Sequence, residues 1–216
     1  LAAQQSGGTI GIRFATGEAP VKPDLSPVVR GEKKVGEVVA SWSVDDLRQA
    51  TIDSLAAITA LIEQCSDADI VFEPVDPEAD DPFAKPGEEK IGWTLGHLVA
   101  HVTASSEETA AIASVLARGI AYPREPRLRY ETEWREIDSR DKALQRLAES
   151  RRMRLGYLDA FPDQPHRETF RELSERGLEY FGPLNAFGQF ASGLAHEVGH
   201  HEQFREAFRQ AQAAHA

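Results

Sequence analysis

Apolar residues recur at intervals of three and four over four long stretches of this chain, a period that builds helices and not the alternation of half-buried strands. In the first stretch Val44, Leu47, Ile52, Leu55, Ile58, Leu61 and Ile62 keep the spacing. Ser43 precedes them as an N-cap, and Asp45 and Asp46 fall in the first turn, where the helix dipole favours negative charge. A helix is expected from Ser43 to about Cys65. A second begins near Trp93 and Thr94, carries Leu95, Leu98, Val99, Val102, Ile112 and Leu116, and ends before Gly119, with Pro123 and Pro126 beyond it. A third spans about Asp141 to Ala160 with Leu144, Leu147, Leu155 and Leu158, closed by Pro162 and Pro165. The fourth is expected as one continuous helix from about Leu184 to Ala213, carrying Phe187, Phe190, Leu194, Val198, Phe204 and Phe208.

Four long helices and no convincing strand pair predict an all-α four-helix bundle. The connections after the first and second helices are long enough for a crossover. Residues 1–42, rich in Gly and Pro and without a sustained apolar period, are expected as an extended N-terminal arm with at most one short strand around Ile10 to Phe14. Residues 43–216 form the expected helical domain.

A formal net charge of −11 over 216 residues disfavours a phosphate backbone as partner, so no nucleic-acid role is expected. No run approaches the roughly 20 apolar residues that cross a bilayer, so no membrane role is expected either. The single cysteine, Cys65, excludes an intramolecular disulfide and suits a reducing cytoplasm. Arg124, Arg127 and Arg129 lie among prolines and read as solvated charges. The acidic run from Glu73 to Asp81 lacks the ligand spacing of a calcium loop. No nucleophile elbow, phosphate loop or dinucleotide fingerprint occurs. Trp42, Trp93 and Trp134 are expected as packing anchors.

Five of the seven histidines fall in two helical windows: His97 and His101 in the second helix, His196, His200 and His201 in the fourth. Residues four apart on a helix share a face, so His196 and His200 can aim both imidazoles at one point. Three imidazoles from two packed helices would hold a transition metal and leave positions open for water or substrate. At about 100° per residue, His101 lies about 110° from the centre of the Leu95, Leu98, Val99, Val102 stripe and His97 about 150°, which favours His101 as the inward residue. On the fourth helix the same construction favours His201 over His196 and His200. That conflict leaves open a His201 that is simply a hydrogen-bonded core residue. Gly193 and Gly199 suggest a close approach beside the pair.

Two motifs carry a resemblance to the DinB/YfiT-like superfamily of metal-dependent helical proteins, extending over roughly Ser43 to Ala213. Gly92-Trp93-Thr94-Leu95-Gly96-His97-Leu98-Val99-Ala100-His101 resembles the family's start of the second helix, with a ligand position eight residues after the Trp, here His101. His196-Glu197-Val198-Gly199-His200-His201-Glu202-Gln203-Phe204 is similar to its His-x-x-x-His-x-x-Gln stretch, with ligand positions at His196 and His200. The resemblance implies a bundle with a long crossover, often a homodimer, and one divalent ion, zinc or nickel, on His101, His196 and His200. His97 and His201 match no ligand position. Glu197 and Glu202 are expected to be mainly solvent-exposed.

The activity that the resemblance implies is thiol-dependent S-transfer to a small-molecule substrate, with a low-molecular-weight thiol as co-substrate. A metal that stabilises a thiolate would make a catalytic cysteine unnecessary, which fits Cys65 as a packing residue. A non-catalytic metal-binding stress-response protein is the alternative. Metal-dependent hydrolysis is a third reading, because His196-Glu197-Val198-Gly199-His200 places a carboxylate between two ligands, as in zincins.

Overall fold

The structure, a computed structural model, describes residues 23–81 and 84–215. Its regular elements among these residues are all helical: α1 (Ser26–Val29), α2 (Val35–Val38), α3 (Val44–Ile62), α4 (Asp67–Val71), α5 (Leu95–Ala117), α6 (Arg140–Asp159), α7 (Glu175–Phe181), α8 (Ala186–Gly199) and α9 (His201–His215), with a 3-10 turn at Trp134–Glu136. The expected all-α class holds.

Side-chain caps fix where the long helices begin. Ser43 Oγ accepts from Asp46 N at 3.2 Å while the Asp46 carboxylate accepts from Ser43 N at 2.7 Å, so two end groups of α3 are satisfied reciprocally. Thr94 Oγ1 accepts from His97 N at 3.1 Å at the head of α5, and Asn185 Oδ1 accepts from Phe187 N and Gly188 N at the head of α8.

Two expectations are corrected. The fourth helix is not continuous. His200 N bonds to Glu197 O at 3.0 Å, a tightened i to i−3 bond that closes α8, and a new helix begins at His201. Gly199, a poor helix former, stands at that break. The second correction concerns Leu25–Trp42, expected to belong to an extended arm. It contains α1 and α2, both of which pack on α8, and it buries Leu25, Val35, Val39 and Trp42. Val35, Val39 and Trp42 stand at helical spacing, a short pattern hidden among Gly and Lys residues. The strand suggested around Ile10 to Phe14 lies outside the described residues.

Helix α5 packs against α8 and α6, and α3 packs against the same two. Gly193 permits a close approach of α8 to α5: a Cβ there would collide with Thr109 Oγ1 of α5. Gly96 does the same for the backbone of Ile137, which draws the Trp134 segment over the start of α5. Gly199, by contrast, has only an ordinary contact beside it.

The core divides into two apolar clusters. One gathers Leu47, Ile112, Leu116, Leu158, Phe187 and Phe190, the other Leu55, Ile58, Ile62, Leu95, Leu98 and Phe204. Buried polar residues outside both clusters include Ser106, Arg154 and Glu197. Arg154 donates to Glu197 from Nη1 at 2.5 Å and from Nη2 at 3.2 Å, with side chains 1% and 0% exposed. A pair so fully removed from water is tolerated only because each charge meets the other in a two-pronged contact.

Candidate metal centre

His101 comes from the second turn of α5, His196 from the last turn of α8 and His200 from the break that follows. The Nε2 atom of His196 lies 3.2 Å from that of His101 and 3.3 Å from that of His200. All three ligand nitrogens lie within 4.8 Å of one another. Metal–imidazole bonds of about 2.0–2.1 Å in a tetrahedral site set neighbouring nitrogens about 3.3 Å apart, so the two short separations match that of a bound ion. The residues present therefore fit a divalent transition metal.

Surrounding groups prepare the imidazoles for that role. His200 Nδ1 stands 2.8 Å from Gln203 Oε1, and since a carbonyl oxygen only accepts, Nδ1 carries the proton and the Nε2 lone pair is free. His101 Nδ1 faces Glu131 Oε1 at 3.7 Å and Arg129 Nη2 at 3.1 Å. Burial opposes ionisation of Glu131, but the nearby His101 ring and the hydrogen bonds from Arg129 outweigh it and hold the carboxyl down to about 2. His196 borders a cavity and is reached by solvent there, while the protein around the rest of the ring holds its pKa down to about 3. His200 and His101 add to that shift. Burial likewise lowers His200. Neutral imidazoles are the form that binds metal.

Gln203→Leu, which removes the acceptor from His200 Nδ1, is expected to weaken zinc affinity about 10- to 100-fold, as for other partners of ligating histidines. Competition with a chromophoric chelator would measure it, and an unchanged affinity would refute the positioning role.

The two remaining helical histidines stand apart from the trio. His201 places Nε2 3.1 Å from Ser54 Oγ of α3, a hydrogen-bonded and partly buried position. The conflict of the helical wheel is resolved by the break: with α9 restarting at His201, no single stripe runs from Phe187 through His201. His97 is only 8% exposed, although the wheel placed it farthest from the apolar stripe. Its ring is stacked between Trp93, with centroids 4.4 Å apart, and Trp134, at 4.7 Å and 2° between planes. The wheel failed because it counts only the apolar stripe, whereas His97 is covered by Trp93 and by the Trp134 segment. Trp93 also lies 4.6 Å from the His101 ring, and Trp134 lines the cavity that His101 borders.

Burial lowers His97 to about 4, outweighing the carboxylate of Glu131. An unfolded histidine titrates near 6.5, so between these values the unfolded chain binds the additional proton. The stabilisation is complete above pH 6.5 and is lost as pH falls toward 4, amounting to about 3 kcal/mol at about 1.4 kcal/mol per pH unit. Urea denaturation of metal-free protein is expected to show a midpoint that drops from pH 7.5 to pH 4.5, and less steeply in His97→Phe. Superimposable profiles would contradict this assignment.

The acidic neighbours also depart from expectation. Glu197, expected mainly in solvent, is fully buried against Arg154, whereas Glu202 is exposed. Arg127 is paired with Glu108, and Arg129 contacts Ser105, Glu131 and His101, so neither is the free loop charge that the sequence suggested. Sequence reasoning missed Arg154, although it stands at helical spacing between Leu147 and Leu158. It missed Glu131 and Arg129 because nothing in an irregular loop marks which residue returns to a helix. Cys65 is buried and its thiol is pushed up to about 12, which fits a packing residue.

The fold and centre together define a helical protein with a three-histidine cluster able to hold a metal ion. The sequence pattern of the DinB superfamily matches residues 50–204, and the chain belongs to that superfamily. No curated protein and no solved structure matched the chain. Among the described residues no helix is long and apolar enough to cross a membrane.

Proposed function

We propose that this protein is a metal-dependent S-transferase in which His101, His196 and His200 hold one divalent ion, zinc or nickel, that serves a low-molecular-weight thiol and a small electrophile. The carrying observation is that cavities open on both sides of the trio. One, of about 800 Å³, is lined by His196 and His200; the other, of about 470 Å³, by His101 and His97. Arg127 and Arg129 border both. A centre reached from two sides suits a reaction between two small molecules.

A divalent ion at this position supplies Lewis acidity, which favours the thiolate form of a thiol near neutral pH. Gln203 and Glu131 keep the imidazoles oriented, and Trp93 packs against the rings of His101 and His200. In such a transfer the thiol sulfur would bond to the electrophilic carbon, the leaving group would depart with its bonding pair, and the thiol proton would pass to solvent.

The pairing of α3 and α5 with the same two helices supports a DinB-type four-helix bundle whose 63–94 connection crosses between diagonal positions. The reading includes a homodimer in a reducing cytoplasm, with neither nucleic acid nor membrane as partner; the acidic charge supports it and light scattering tests the assembly. Hydrolysis of the zincin kind is disfavoured, because the carboxylate in the His-Glu-x-x-His string is committed to Arg154. The non-catalytic metal-binding reading differs in its outcome with thiols. Zinc- or nickel-loaded protein is expected to accelerate release of chloride from 1-chloro-2,4-dinitrobenzene by 2-mercaptoethanol and cysteine, and the His101→Ala, His196→Ala, His200→Ala variant is not. Equal rates with and without a fully loaded protein would favour the non-catalytic role.

A further inference from the structure

Four arginines line the larger cavity, and among the described residues two of them, the exposed Arg124 and the more shielded Arg171, form no ion pair. Arg127 is taken up by Glu108 and Arg129 by Glu131. Arg171, on the same wall and mostly shielded from solvent, forms no ion pair among the described residues. Its Nε is buried with no hydrogen-bond partner, and Nη1 has only a long contact of 3.4 Å to Gln189 Oε1. The backbone around it is pinned: Arg171 N donates to Leu184 O at 2.9 Å and Glu172 N to Tyr122 O at 3.0 Å. Glu108 and Glu125 act on it only through space. A partly desolvated guanidinium held in place with no carboxylate in direct contact among the described residues is unfavourable alone, and its planar fork suits a bidentate oxyanion.

The geometry points to Arg171 as the binding residue for the carboxylate of an organic substrate whose body extends along this cavity toward His196 and His200. A carboxylate is favoured over a phosphate by the charges on the wall. Glu108, Glu125 and Glu172 line the same space, and a dianion would meet all three with twice the repulsion of a monoanion. Val28, Phe181 and Leu184 supply apolar surface for a hydrocarbon body. Burial lowers the pKa of Arg171 but leaves an arginine charged at any physiological pH.

This inference rests on the proposed function only for where the substrate's other end lies. It is therefore tested first on metal-free protein, by isothermal titration with 3-phenylpropionate, its uncharged analogue 3-phenylpropanol, and inorganic phosphate. Wild type is expected to prefer the carboxylate over the alcohol by about 10- to 100-fold, the usual effect of a charge-assisted hydrogen bond. Arg171→Gln should abolish that preference, Arg171→Lys should retain part of it, and both variants should keep the wild-type circular dichroism and melting temperature. A preference that survives Arg171→Gln, or equal binding of carboxylate and alcohol to wild type, would overturn the assignment. Phosphate bound more tightly than the carboxylate would overturn the choice of ligand class. Failure of metal binding would leave these results unchanged, so the two readings fail separately. With metal restored, Arg171→Gln should raise KM for 3-mercaptopropionate, which carries a carboxylate, about 10-fold or more relative to its effect on KM for 2-mercaptoethanol, which carries none.

Discussion

Glu197→Ala is expected to destabilise the protein by about 3–5 kcal/mol, because it leaves the Arg154 guanidinium buried without its counter-ion. The two side chains are 0% and 1% exposed and joined by two hydrogen bonds, so water cannot replace the lost carboxylate without opening the helix interface. In a chain of this size such a loss corresponds to a fall of roughly 10 °C in melting temperature. The double variant Arg154→Met, Glu197→Leu removes both charges and is expected to recover most of the difference. Urea denaturation of the three proteins measures this directly. A loss below about 1 kcal/mol in the single variant would contradict a structural pair. The same variants separate stability from chemistry: a general base at Glu197 would make Glu197→Gln inactive with little change in folding, whereas a structural Glu197 shows first in the denaturation midpoint.

Simultaneous replacement of His101, His196 and His200 by alanine is expected to take metal content from near one ion per chain to near none. Each single replacement should weaken binding by more than the roughly 10- to 100-fold that follows loss of a group merely supporting a ligand. His201→Ala is the informative control. That ring is directed to Ser54 of α3, so its removal should leave metal content intact even though it adjoins His200 in sequence. Elemental analysis of untagged protein, with circular dichroism to verify folding, distinguishes the outcomes. Wild type that takes up neither zinc nor nickel would refute the metal centre, and loss of metal in His201→Ala would reassign the ligand set.

The period of the apolar residues made the main helices legible, and the cap at Ser43 located one of their starts. Both signals are local: a side chain one to three residues from the backbone group it satisfies acts the same way whatever surrounds it. The pairing of His196 with His200 was legible for the same reason. Helix geometry alone places residues four apart on one face, and the tightened turn at His200 does not separate the rings. The resemblance to the superfamily supplied the partner from the other helix.

Positions that depend on what packs against a helix were not legible. The wheel ranked His97 as outward because it knows only the apolar stripe of α5, whereas the side opposite that stripe is covered by Trp134 from a distant loop. Glu197 looked like a surface carboxylate because the sequence shows its charge and not Arg154 of another helix opposite it. Nothing in the sequence sets Arg171 apart from the other arginines. By itself the sequence determined which segments coil and which faces they offer, since those follow from short-range sterics and hydrogen bonding. The burial of Glu197, the stacking of His97 and the setting of Arg171, without an ion pair among the described residues, were decided only by tertiary structure. Whether a charge is desolvated, and whether it finds a counter-charge, depends on groups far apart in the chain that only packing brings within a few ångströms.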